Sequence, residues 1–187
     1  MIGAILAILD SRSFGSIWFW LLLALVWTLA GRRVVGVPAD VIARARRTGA
    51  AEGEDPDALR LLDWLSLTLP RWRMGRVEGA VALGIAAFLL TALFVLGFLY
   101  GLEMAQALVL LLLPLVGLAG AELRLARRLA PIVEAAARGE IPANAAAAGA
   151  ARLMGRQRML VVLASILVVA LTAWRGALWF VAHPFGF

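Results

Sequence analysis

The sequence predicts an all-α, polytopic membrane protein: four transmembrane helices, with short amphipathic helices in its cytoplasmic segments. Three observations predict it. The chain has 187 residues, 63% of them hydrophobic, and a mean hydropathy of +0.91, too apolar for a soluble domain of this size. Residues 77–100 and 104–121 form two apolar runs separated only by Gly101, Leu102 and Glu103. A helix needs about 20 apolar residues to cross a hydrocarbon layer of roughly 30 Å, so two such runs with so short a link read as a transmembrane hairpin. The third observation is the placement of arginine, taken up below.

Taken in order, residues 2–9 are an apolar piece too short to cross, followed by Asp10 and Arg12; it is expected at the interface or along the bundle. It lacks a basic leading region and a small-residue cleavage site, so it is not read as a removed signal peptide. The first span covers residues 14–31. Trp18, Phe19 and Trp20 stand at its start, where an aromatic belt belongs.

Residues 32–76 form the first polar segment. Pro38 is placed to open a helix through Thr48, with Gly49 as its stop. Residues 50–54 read as an acidic turn. Asp55, Pro56 and Asp57 then supply a cap, a first-turn proline and an acid at the positive end of the helix dipole. The helix they start runs to about Leu69, where Pro70 ends it. Its apolar residues Leu61, Leu62, Trp64, Leu65 and Leu69 are expected in lipid or against the bundle, and a partner-binding helix is the sharper alternative.

The hairpin follows. In lipid no hydrophobic drive brings helices together, so close contact needs small residues. Ala80, Gly84, Ala87 and Thr91 make one stripe on the first arm; Gly117, Gly120 and Ala121 gather at the open end of the second. Folding back at Leu102 sets Gly84 opposite Gly120 and Ala87 opposite Gly117. Close packing is therefore expected at the open end, bulkier packing at the turn, and a bend at Pro114. Residues 122–158 form the second polar segment. The third helix is expected to continue past Arg124, Arg127 and Arg128 to Pro131, a short helix over 132–138 to stop at Gly139, and Pro142 to open an Ala-rich helix towards Arg152. The fourth span covers residues 159–180, with Trp174, Trp179 and Phe180 as its belt. The chain reads as a single membrane domain.

Arginine sets the orientation, because short basic loops stay cytoplasmic. Nine arginines lie in residues 32–76, seven in 122–158, and only Arg12 and Arg175 lie elsewhere. Four spans satisfy this bias without conflict. Both termini and the turn at Gly101–Glu103 then face the periplasm of a bacterium. The same bias accounts for the net charge of +6, so nucleic acid is not expected as a partner.

Catalysis is not expected. There is no cysteine, which excludes disulfides, thiolate zinc sites and cysteine-held clusters. His183 is the sole histidine and reads as an interfacial residue; single axial ligation of a porphyrin-type pigment is its remote alternative. The acids Glu52, Glu54, Asp55, Asp57 and Asp63 have no histidine or cysteine to work with, and no phosphate-binding glycine loop is present. No cofactor is predicted. Charges near the middle of a span, which mark transport paths, are absent. Glu78 and Glu103 suit the first turns of their helices, and Arg175 can snorkel.

The arginine groups instead fit the inner leaflet: Arg44, Arg46 and Arg47; Arg71, Arg73 and Arg76; Arg124, Arg127 and Arg128; Arg152, Arg156 and Arg158. Each basic residue near an anionic surface contributes about 1 kcal/mol. Arg71, Arg73, Arg76, Arg124, Arg127, Arg128, Arg156 and Arg158 are the candidates for anionic lipid, and Ala80, Gly84, Ala87, Gly117 and Gly120 those for helix packing.

Ser13-Phe14 leading into Ile17-Trp18-Phe19-Trp20, Gly36-Val37-Pro38 with Arg44-Ala45-Arg46-Arg47, and the hairpin stretches 88–93 and 98–101 together resemble a set of small four-span alphaproteobacterial membrane proteins described as components of the Suf iron–sulfur assembly complex. The resemblance covers most of the chain and implies a bacterial inner-membrane protein. Three functions are thus expected, in this order. The first is a non-catalytic subunit or assembly factor of a larger respiratory or photosynthetic complex, partnered by other integral-membrane subunits. The second is an anchor recruiting a soluble cytoplasmic partner such as the Suf machinery. The third is a small transporter acting as a homo-oligomer.

Overall fold

A computed structural model describes residues 14–47 and 55–182. The expectations placed on residues 2–9, Arg12, Thr48, Gly49, the acids Glu52 and Glu54, and His183 lie outside them. The elements are α1 (Ile17–Arg32), β1 (Arg33–Val34), β2 (Val37–Pro38), α2 (Ala39–Ala45), α3 (Pro56–Thr68), a 3₁₀ turn (Leu69–Trp72), α4 (Arg76–Phe94), a π turn (Val95–Leu99), α5 (Glu103–Ala137) and α6 (Ala143–Ala182).

The protein is mostly helical, and α4 with its π turn, α5 and α6 are long and apolar enough to cross a membrane. The fourth apolar helix, α1, has 16 residues, fewer than the roughly 20 needed to span. At about 1.5 Å per residue, the 35 residues of α5 and the 40 of α6 extend well past a hydrocarbon layer of roughly 30 Å. The chain divides into two compact units. One, the membrane unit, holds residues 14–27, Arg76–Gly117 and 163–182; the other, the cap unit, holds Thr28–Gly75 and Leu118–Val162.

The cap unit has the apolar core of a water-soluble protein. Ala58, Leu61 and Leu65 of α3 face it at helical spacing, and Leu69 follows. So do Leu125, Ala126 and Leu129 of α5, and Ala147, Ala150, Ala151 and Met154 of α6. The capping predicted for α3 is present: the Asp55 carboxylate accepts a hydrogen bond from the Asp57 N–H at 2.8 Å, with Pro56 in the first turn. Asn144 Oδ1 in turn accepts from the Asp55 N–H at 3.1 Å. After Thr68 the chain tightens into the 3₁₀ turn that holds Pro70.

Three local expectations change. The all-α expectation omits a two-stranded hairpin pairing Arg33 with Pro38 and Val34 with Val37. Its two turn residues, Val35 and Gly36, both have positive φ (51° and 81°), as a two-residue hairpin turn requires. Second, Pro131 does not end a helix. A proline in a helix interior removes one hydrogen bond, but Leu125, Ala126 and Leu129 before it and Val133 after it are held by the core, and α5 runs through to Ala137. Its stop is the predicted Gly139, at φ 71°, with the Glu140 N–H on Ala135 O and the Gly139 N–H on Ala136 O, both at 3.0 Å. Third, the Ala-rich helix and the fourth apolar run are one helix, α6, because nothing between Arg152 and Met159 breaks it.

In the membrane unit, α4 buries no residue at all. Its partner arm is fixed to it at the turn instead. A Cβ on Gly97 would stand 2.7 Å from the Gln106 backbone nitrogen, and Gln106 Nε2 donates to Gly97 O at 2.7 Å.

Candidate functional site

Chemistry-bearing residues are sparse. Among the described residues no group of three histidines, cysteines or carboxylates could hold a metal ion. The described residues do assemble a buried polar latch, a pair of basic grooves and an uncovered helix face.

The latch lies in the membrane unit. Glu103 and Gln106, three residues apart at the start of α5, are both buried. The Glu103 carboxylate accepts the Phe14 N–H, and Phe14 O accepts from Trp20 Nε1 at 2.9 Å. Glu103 Oε2 and Gln106 Oε1 have no hydrogen-bond partner among the described residues. The sequence places Glu103 as a dipole-favoured acid; the structure adds that it holds the chain entering α1. The π turn beside it re-aims the Gly97 carbonyl towards Gln106, and single π turns of this sort recur where a helix must accommodate another group.

The two grooves lie in the cap unit. The larger, about 490 Å³, is walled by Ala39, Ile42 and Ala43 of α2 and by Ala151 and Gly155 of α6, with Arg46, Arg47 and Arg158 around it. Small side chains on both walls keep it open, and a Cβ on Gly155 would meet only Arg46 Nη1, at 3.9 Å. The smaller, about 260 Å³, is lined by Leu69, Trp72, Arg73, Met74, Ala126, Arg127 and Ala130.

Their electrostatics differ. Arg73 is engaged by Glu134 at 2.7 Å, so the smaller groove has one cation already balanced. Beside the larger groove Arg44 is balanced by Asp40 at 2.7 Å and Asp57 at 3.8 Å. Arg46, Arg47 and Arg158 have no ion-pair partner among the described residues. Elsewhere in the cap, Arg138 and Glu140 pair at 2.5 Å, which holds the exposed Glu140 carboxyl below its ordinary range. Burial pushes the Glu122 carboxyl up, while a hydrogen bond from the Val35 backbone partly offsets it.

Of the predicted lipid-facing arginines, Arg73 and Arg127 share the smaller groove and Arg158 enters the larger one. Arg71, Arg76, Arg124, Arg128 and Arg156 are exposed and line neither. The sequence names Arg46 and Arg47 as basic, but Gly155, the residue that leaves the space between them and Arg158, carries no local signal.

The predicted helix-packing residues are not brought together. A Cβ added to Gly84, Gly117 or Gly120 would meet nothing within 4 Å, and Ala80 and Ala87 are exposed. The close approach sits at Gly97, at the opposite end of the arm from the expected one. The polar latch at Gln106 and Glu103 fixes the arms there, and the small-residue face of α4 is left open. No protein-family model, curated protein or solved structure matches this chain.

Proposed function

We propose that the protein is a non-catalytic accessory subunit or assembly factor of a larger bacterial inner-membrane complex, respiratory or photosynthetic in kind. In this reading the short α1 makes a fourth crossing beside the three long helices, with both termini periplasmic and the cap unit in the cytoplasm. The arginine placement supports this orientation. The observation that carries the subunit reading is α4: 19 residues, none buried by its own chain, with Ala80, Gly84 and Ala87 along an uncovered face. Helices associate in lipid through such small-residue faces, and here the occupant is a helix of another integral-membrane subunit.

Purification in mild detergent followed by mass spectrometry tests it. Stoichiometric integral-membrane partners are expected, and Gly84→Leu should release them while leaving the isolated chain's melting temperature unchanged. Recovery of a clean monomer from the native membrane would overturn the reading.

A second reading is favoured by one feature of the cap. Trp64 and Leu67, three residues apart on the outer side of α3, are 40% and 71% exposed. That apolar pair suits a soluble cytoplasmic protein, with the chain as its membrane anchor; the Suf machinery is the partner the sequence resemblance implies. Soluble partners in the same purification support this reading, and several identical copies alone would support an oligomeric transporter.

A further inference from the structure

We propose that the larger groove of the cap unit binds the headgroup of an anionic phospholipid, with Arg46, Arg47 and Arg158 on the phosphate and the α2–α6 cleft along the first part of the lipid's apolar body. The inference does not rest on the subunit reading, since it concerns the isolated chain.

Three facts carry it. The first is charge. Arg46, Arg47 and Arg158 line one space, and no acid among the described residues lies within ion-pair range of any of them, although nearby Arg44 of α2 is doubly served by Asp40 and Asp57. Like charges gathered without a counter-ion repel, and an anion between them turns that cost into attraction. The second is shape. Ala39, Ile42, Ala43 and Ala151 give the groove an apolar lining beside its three arginines, so it offers both cations and hydrocarbon contact. A free phosphate would use only the cations; a phospholipid uses both. The third is position. Arg158 immediately precedes the apolar run that begins at Met159 on the same continuous helix, where a lipid phosphate lies when the run enters the hydrocarbon. The smaller groove lacks the first feature, because Glu134 already occupies Arg73.

The test uses the full chain purified in dodecyl maltoside and titrated with dioleoylphosphatidylglycerol, with dioleoylphosphatidylcholine and inorganic phosphate as parallel arms. Native mass spectrometry counts bound lipid, and the thermal shift gives apparent affinity. Phosphatidylglycerol should bind and stabilise, whereas phosphatidylcholine and inorganic phosphate should do neither at matched concentration. Arg46→Gln and Arg158→Gln should each weaken binding about fivefold. Gly155→Leu fills the cleft without removing a charge, its first atom meeting only Arg46 Nη1 at an ordinary 3.9 Å; it should weaken binding about tenfold or more. Arg128→Gln removes an equal charge outside the groove and should stay within about twofold.

Two results would overturn the proposal. Equal losses from Arg128→Gln and Arg46→Gln, with Gly155→Leu binding like the natural chain, would mean diffuse attraction and no site. Stabilisation by inorganic phosphate equal to that by phosphatidylglycerol would assign the groove to a free phosphate ligand. Should Gly155→Leu unfold, Gly155→Ala, which adds only an ordinary 3.9 Å contact, together with the two arginine variants still decides between site and surface.

Discussion

Helices α3 and α4 are both rich in apolar residues, yet they end in opposite conditions. The 13-residue α3 places Ala58, Leu61, Leu65 and Thr68 out of solvent, while the 19-residue α4 buries nothing. The difference is the one expected between a helix packed in a core and a helix long and apolar enough to cross a membrane. Each Leu or Val fully buried from water contributes about 1.5–3 kcal/mol, and α3 gains this by closing onto a core. In lipid that drive vanishes, and a helix can remain apolar all round, held to its neighbour by a few contacts at one end. The cap is thus a conventional hydrophobic fold, whereas α4 is tied down chiefly at Gly97.

The sharpest way to break this comparison is to truncate matched side chains in the two regions. Leu61→Ala or Met154→Ala, each fully buried in the cap, should cost about 2–5 kcal/mol. Ile85→Ala, on the exposed face of α4, should cost under about 0.5 kcal/mol. Thermal unfolding in detergent, read by limited proteolysis of the cap, checks both; equal losses at Leu61 and Ile85 would show that α4 is packed after all.

Next in size is the glycine comparison within the hairpin itself. Gly97→Ala would bring a Cβ to 2.7 Å from a backbone nitrogen, a contact that no side-chain movement relieves. Overpacking of that kind costs about 1–3 kcal/mol. Gly84→Ala meets open space and should leave the melting temperature unchanged or slightly raised, since alanine is the better helix former by about 1 kcal/mol. A reversed order would restore the sequence expectation that the arms meet at their open end.

Asp55→Ala is smaller and confined to the cap. It removes the acceptor of the Asp57 N–H and should cost about 0.5–2 kcal/mol. The cut-off of proteolytic resistance in the segment before α3 measures it, and Asp55→Asn should recover most of the loss.

What could be read from the sequence divides along the same line. Features whose cause is local were visible: the Asp55-Pro56-Asp57 start, the Gly139 stop, the turn at Pro70 and the apolar runs. Features set by a partner far along the chain were not. Pro131 reads as a breaker until Leu129 and Val133 are seen held by the core on either side of it. Val35 carries no turn signal, because a β-branched residue is among the least expected at positive φ; in the fold it is buried with Val34 and Val37, and its backbone hydrogen-bonds Glu122. The small residues of the hairpin are visible in the sequence as a stripe, but composition does not say what that stripe packs against. Likewise the arginines were visible as clusters, and which three share a groove depends on how α2 and α6 are placed within the cap.

The smallest effect bears on how the cap tolerates a charge at its edge. Glu122, the first residue past the third apolar run, is buried enough that its carboxyl is pushed above the ordinary range, with the Val35 backbone hydrogen bond acting in the opposite direction. A raised carboxyl means that the folded state holds its proton more tightly than the unfolded chain does. Folding is therefore not penalised below the ordinary carboxylate range, and stability declines as pH rises through it to the raised value. Above that value the loss is complete and constant. Glu122→Gln keeps an oxygen for the Val35 N–H and removes the ionisation. It should flatten this part of the profile and leave the variant slightly more stable at neutral pH. Melting temperatures of the two proteins in detergent across acidic to neutral pH check the sign: a natural chain that gains stability over that window relative to Glu122→Gln would mean the Val35 hydrogen bond outweighs burial, and that the turn at Val35 depends on an ionised partner.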